Sequence, residues 1–107
     1  MTTQLEVDLE SFAAVQPDAF LIDVREPDEY AGGHVPTARL VPAGSLAGAA
    51  AGLPEDRTIY VICASGNRSL RAAAALTASG LQALSVTGGT SGWVRSGRPV
   101  VTGARTS

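Results

Sequence analysis

Lysine is absent from this chain, and all 8 basic residues are arginines. No side-chain amine is therefore available to form a Schiff base with a carbonyl substrate. A single cysteine, Cys63, excludes an internal disulfide, and one histidine, His34, leaves no cysteine–histidine metal cluster within the chain. Aromatic residues make up only 5% of the sequence, so small side chains must do much of the packing. No apolar run approaches the roughly 18 residues of a membrane span. No block of like charge stands out either. The net charge of -2 comes from 10 acidic and 8 basic residues scattered along the chain, which offers no electrostatic footprint for nucleic acid or an anionic membrane. The opening Met1-Thr2-Thr3-Gln4 lacks the basic start of a signal peptide, and a cytoplasmic location is the expectation.

What is present suits one domain over residues 1–107, whose 45% hydrophobic content supports a sizeable core. Apolar strand-like runs alternate with helical segments, which predicts an α/β layer fold with a mainly parallel sheet. Five strands are expected: near Gln4 to Val7, Ala19 to Val24, Arg39 to Val41, Thr58 to Cys63 and Leu81 to Val86. Asp8 is placed to cap a helix carrying Leu9, Phe12 and Ala13 on one face, and Pro27 suits the first turn of a short helix that Gly32-Gly33 stops. Ser45 to Ala51 has helical composition. A longer helix is predicted from Arg68 to Ser79, with Leu70, Ala73, Ala74 and Thr77 on one face and Gly80 at its left-handed cap. Gly88-Gly89 turns the chain into a last short helix around Trp93, and a frayed tail is expected beyond Val101.

Cys63 stands where the apolar run Ile59-Tyr60-Val61-Ile62 gives way to Ala64-Ser65-Gly66-Asn67-Arg68-Ser69 and an alanine-rich helix. A strand that stops at a short glycine-containing loop before a helix leaves several backbone N–H groups able to curl around one anion. A free thiol titrates near about 8.5, whereas one at a helix N-terminus can titrate between roughly 3.5 and 7.5. The layout thus points to an ionised nucleophile, against the alternative of an inert small hydrophobe in a strand.

Three blocks carry a resemblance: Leu21-Ile22-Asp23-Val24-Arg25-Glu26 with Glu29-Tyr30 and Gly33-His34-Val35-Pro36; the loop Cys63 to Ser69; and Gly88-Gly89 with Trp93 and Gly97-Arg98-Pro99-Val100. Together, in this order and spacing, they resemble the rhodanese family of sulfurtransferases. The resemblance implies a rhodanese-like fold of five mainly parallel strands with helices on both faces. It also implies a reaction in which Cys63 takes sulfane sulfur from a donor such as thiosulfate, holds it as a persulfide and passes it to cyanide or another thiol. The substrate-binding loop would be Ala64, Ser65, Gly66, Asn67, Arg68 and Ser69, and a sulfur-accepting protein is a possible partner. No metal or organic cofactor is required.

Only four residues separate Cys63 from Arg68, whereas cysteine phosphatases place five between cysteine and arginine. The resemblance implies that the shorter loop suits a single sulfur atom. Phosphatase or arsenate reductase activity is the lesser alternative, and a non-catalytic binding or sensing module of the same fold is the other. Arg68 can aim its planar fork of donors at a sulfonate, or stand as a helix-surface arginine. Ala64 and Ser65 are uncharged where thiosulfate-using members often carry basic side chains. Asp23 and Arg25 end the second strand as supporting residues, Asp23 accepting hydrogen bonds from loop amides or an arginine and Arg25 pairing with Glu29. His34 reads as a satisfied turn histidine or a general base, and Trp93 as core. Thr37-Ala38 departs from the small Gly-Ala pair usual after the Gly-His-Val-Pro turn.

Overall fold

The computed structural model describes residues 4–106. Its five strands are β1 (Glu6–Val7), β2 (Phe20–Asp23), β3 (Arg39–Leu40), β4 (Ile59–Ile62) and β5 (Ala83–Val86). They form one sheet in the order β1-β5-β4-β2-β3, and every neighbouring pair is parallel. The helices are α1 (Leu9–Val15), α2 (Pro27–Ala31), α3 (Leu46–Ala49), α4 (Asn67–Ala78) and α5 (Gly89–Arg95). No helix among the described residues is long and apolar enough to cross a membrane.

A strand's side chains alternate between faces, and β4 shows how this positions the cysteine. Ile59, Val61 and Cys63 enter one core cluster with Leu46 of α3 and Ala72, Ala73 and Leu76 of α4. Ile62 enters the cluster on the opposite face with Phe12 of α1, Tyr30 of α2 and Trp93 of α5. Helices therefore cover both faces, as a parallel sheet requires. Phe12, wholly buried, packs its ring 5.4 Å from that of Tyr60 and 5.8 Å from that of Trp93, so three of the chain's few aromatics fill one site.

α4 is rotated from the expected phase. Its buried residues are Ser69, Ala72, Ala73 and Leu76, while Ala74 is exposed. Polar Ser69 sets the phase, because its hydroxyl is hydrogen-bonded in the interior at 2.7 Å to Ser85 Oγ of β5. The helix ends as the sequence indicates: Gly80 lies at φ +93°, and the Leu81 amide reaches back to the Leu76 carbonyl at 3.1 Å.

The tail is not frayed. Val101 exchanges backbone hydrogen bonds of 2.8 and 2.9 Å with His34, Gly103 N–H donates to Ala31 O at 2.8 Å, and Thr37 N–H donates to Thr106 O at 2.7 Å. These long-range partners lie on the last residue of α2 and the segment after it, and leave no trace in the tail's own composition.

Thr37 occupies the third position of a turn closed by the Ala38 amide on the Val35 carbonyl at 3.1 Å. Pro36 at the second position favours a type II turn, whose third residue needs positive φ. Thr37 indeed lies at φ 76°, and its Oγ1 is buried with no partner among the described residues. A β-branched residue there costs roughly 1–2 kcal/mol, against about 0.5–1 kcal/mol for the extra chain entropy of glycine. Thr37→Gly is expected to stabilise the protein by about 1 kcal/mol, read as a higher midpoint in urea. An unchanged or lower midpoint would show that the strain is absent in solution.

Candidate active site

The parallel register aligns Asp23 of β2 with Ile62 of β4, so Cys63 leaves the sheet at its carboxyl edge, where ligand crevices in open α/β sheets form. Its side chain is 99% buried. Gly66, the N-cap of α4 at φ 116°, donates its amide to Cys63 Sγ at 3.1 Å, and the thiol in turn donates to Ser69 Oγ at 3.3 Å. Burial pushes the Cys63 pKa up. The Ser69 hydroxyl and the amides of Ser69, Gly66 and Ser65 more than reverse that, and the thiol is held below its ordinary value.

Ser85 belongs to this constellation although the sequence reading passed it over. Its hydroxyl, wholly buried on β5, bonds Ser69 Oγ at 2.7 Å and lies 3.5 Å from Gly66 O. With Ser85 as its neighbour, Ser69 can turn its hydroxyl toward the sulfur once Cys63 ionises. The available signal was one polar residue in the otherwise apolar Ala83-Leu84-Ser85-Val86, on the strand beside Cys63.

The outer side of the loop is gripped by the start of α5. Thr90 N–H donates to Cys63 O at 2.8 Å and Ser91 N–H to Ala64 O at 3.0 Å. Gly89 permits that approach, since a Cβ at its position would lie 2.5 Å from both carbonyl oxygens.

Arg68 is not directed at the sulfur. Its guanidinium forms a two-pronged pair with Glu29 of α2 at 2.8 and 2.9 Å. This pair and the Glu26 amide hold the Glu29 carboxyl at about 2, and Glu29 raises the Arg68 pKa further. Asn67 opens α4 with its side chain exposed. The expected Arg25–Glu29 pair is therefore replaced. Arg25 instead folds back on Asp23, with Nε 3.0 Å from Oδ1 and Nη2 2.9 Å from Oδ2, and Nη2 also donates to Gly33 O at 2.8 Å. Asp23 is wholly buried, and Arg25 is 6% exposed. The pair ties the end of β2 to the turn after α2, and Asp23 Oδ1 also accepts the Arg25 amide at 3.0 Å.

His34 lies outside the sulfur site. Its buried ring stacks on Tyr30 with centroids 3.6 Å apart, and its two nitrogens face the carbonyls of Tyr30 and Arg105 at 2.8 and 2.6 Å. His34 is a buried turn histidine and not a base aimed at Cys63. Trp93 is core, its indole N–H donating to Pro99 O at 2.7 Å. Among the described residues no group of three or more histidine, cysteine, aspartate or glutamate side chains stands together to hold a metal.

The chain is similar to known proteins in sequence and in fold. The family model for the rhodanese-like domain matches residues 4–96. A protein named sulfurtransferase from Allochromatium vinosum is 36% identical over 100 residues, covering 90% of this chain and 94% of its own. A Bacillus subtilis protein named putative sulfur carrier protein YrkF is 39% identical over 80 residues, which span 72% of this chain but 43% of that one. The crystal structure of a rhodanese-related protein from Thermoplasma volcanium superposes with a TM-score of 0.86 at 32% identity, covering 91% of this chain and 97% of that one. These relatives support sulfur transfer in general terms, and the family match extends from β1 through α5. The chain belongs to the rhodanese-like domain family.

Proposed function

We propose that this protein is a sulfurtransferase in which Cys63 carries sulfane sulfur as a persulfide. The observation that carries the reading is the Gly66 amide 3.1 Å from Sγ, backed by Ser69, around a thiol held below its ordinary pKa despite burial. In the first step the Cys63 thiolate attacks the outer sulfur of the donor. The donor's sulfur–sulfur bond breaks, and sulfite leaves when the donor is thiosulfate. In the second step a thiol or cyanide attacks the outer sulfur of the persulfide, and the Cys63 thiolate is the leaving group. The amides of Ser65, Gly66 and Ser69 stabilise the anion in both steps without needing to reorganise. A sulfur-accepting protein is a natural partner for such a relay, and the sulfur-carrier relative agrees with that. A reducing cytoplasmic setting would keep the lone thiol free.

Thiosulfate fits this site less well than a persulfide on an organic thiol. Its sulfonate would have to compete with Glu29 for Arg68, and Ala64 and Ser65 add no positive charge. The loop length also speaks against phosphate, since the amides of Ser65, Gly66 and Ser69 already converge on a single sulfur atom.

Intact-protein mass tests the reading. Incubation with inorganic polysulfide or thiosulfate is expected to add one sulfur atom to the wild type, cyanide to remove it, and Cys63→Ser to take up none. Unchanged sulfur transfer by Cys63→Ser, or hydrolysis of an aryl phosphate faster than sulfur transfer, would replace this function with another.

The Glu29–Arg68 pair makes a second prediction. Glu29 titrates at about 2 in the folded protein and near its ordinary 4.5 once unfolded. Its stabilisation is thus full above about 4.5 and drains away as pH falls toward 2. The two side chains are 42% and 33% exposed, so the effect is screened and small. Wild type is expected to melt slightly above Glu29→Gln near neutrality, with the gap closing in acid. A gap independent of pH would mean that the pair does not form in solution.

A further inference from the structure

One hydroxyl stands in an otherwise apolar strand. Ser85 lies between Leu84 and Val86 of β5 and is wholly buried. In register it sits beside Val61 of β4, so its side chain leaves the sheet on the α4 face, the face that Cys63 shares two residues further on. Its amide already serves the sheet, donating to Leu5 O at 2.7 Å. Its hydroxyl meets two oxygens, Ser69 Oγ at 2.7 Å and Gly66 O at 3.5 Å. Taking a hydroxyl out of water is unfavourable unless it is paired, and an alanine would complete the strand without that demand.

The hydroxyl protons beside Cys63 number two. Ser69 and Ser85 carry one each, and their short contact takes one of them. If Ser69 donated to Ser85, its proton would be lost to the sulfur, and Ser85 would be left with only the long contact to Gly66 O. If Ser85 donates to Ser69, the short contact is used and the Ser69 proton stays free. Two acceptors then lie within its reach: Gly66 O at 3.2 Å and, once Cys63 has ionised, the sulfur at 3.3 Å. Gly66 O does not depend on that proton, because it also accepts the Leu70 amide at 3.1 Å. The anionic sulfur is therefore the acceptor that gains most from it.

We propose that Ser85 is a positioning residue for the Cys63 nucleophile, a hydroxyl that donates to Ser69 and so commits the Ser69 proton to the sulfur whenever Cys63 is a thiolate. A donor whose own oxygen accepts a hydrogen bond is polarised and donates more strongly. The catalytic meaning of this role rests on the persulfide reading above, in which Cys63 is a thiolate at two points. It attacks as one, and it leaves as one when cyanide bonds the outer sulfur, the sulfur–sulfur bond breaks with its electron pair on Sγ, and thiocyanate departs. Ser85 acts on both steps through Ser69 and touches neither substrate.

The test is the pH profile of Cys63 alkylation in wild type, Ser85→Ala, Ser69→Ala and the double variant, with urea unfolding of each as the measure of fold. Each single variant leaves the surviving hydroxyl the Gly66 carbonyl as an acceptor. Ser85→Ala is expected to raise the alkylation midpoint by about 0.3 pH units, a loss of about twofold in thiolate below the midpoint. It should also slow cyanide discharge of the protein loaded with inorganic polysulfide. In the Ser69→Ala background the same substitution should leave the profile unmoved, because the path to the sulfur is gone. Ser85→Thr keeps the hydroxyl and should titrate as wild type does. A purely structural role would move the urea midpoint and not the pH profile. An unchanged or lowered alkylation midpoint in Ser85→Ala, an equal shift in both backgrounds, or a Ser85→Thr profile matching Ser85→Ala overturns the proposal. If the profiles shift as expected but polysulfide adds no sulfur to the wild type, the persulfide reading fails and Ser85 remains a residue that tunes the thiol.

Discussion

The structure depends on how tightly the chain around Cys63 is held by backbone hydrogen bonds from elements far apart in sequence. The Cys63 carbonyl accepts from Thr90, the next carbonyl accepts from Ser91, and the sulfur accepts from Gly66. Three elements must meet for this: the end of β4, the start of α4 and the turn from β5 into α5. Glycine is needed at the last because the approach leaves no room for a Cβ. The donors are fixed by the fold itself, and they favour the anionic form of the sulfur.

The charged residues do a different task. Asp23–Arg25 is a buried pair in which Arg25 Nη2 also reaches the Gly33 carbonyl, and Glu29–Arg68 straps α2 to the loop from outside. Breaking a buried pair by removing one partner costs roughly 3–5 kcal/mol, which gives the motif at the end of β2 a structural explanation. With both arginines matched, the surroundings of Cys63 carry no spare cation in these pairs. Neighbouring charge therefore does little to attract a dianionic donor.

Local signals carried much of this in the sequence. The apolar run from Ile59 to Cys63, the glycine at 80 and the small residues of α4 are short-range features, and the strands and helix they announce are present within a residue or two. Cys63, Gly66 and Ser69 stand together because they lie within two turns of chain. What depended on distant partners was misjudged. Arg25 had two carboxylates within reach, Asp23 and Glu29, and only the folded geometry assigns it the first and leaves the second to Arg68. Ser69 of α4 faces Ser85, a strand away, and the tail is held by backbone N–H and C=O groups of α2 and the turn after it. Thr37 was visible as an oddity, but its positive φ became explicable only with the turn around it.

The amides and Ser69 hold the Cys63 thiol below its ordinary pKa although it is buried. The pH dependence of Cys63 alkylation in the wild type and in Ser69→Ala tests it most directly. Wild type is expected to titrate below the roughly 8.5 of a free thiol. Ser69→Ala should titrate higher, because burial then acts against one fewer donor. A wild-type thiol that titrates at or above about 8.5, or one indifferent to Ser69→Ala, would contradict the account.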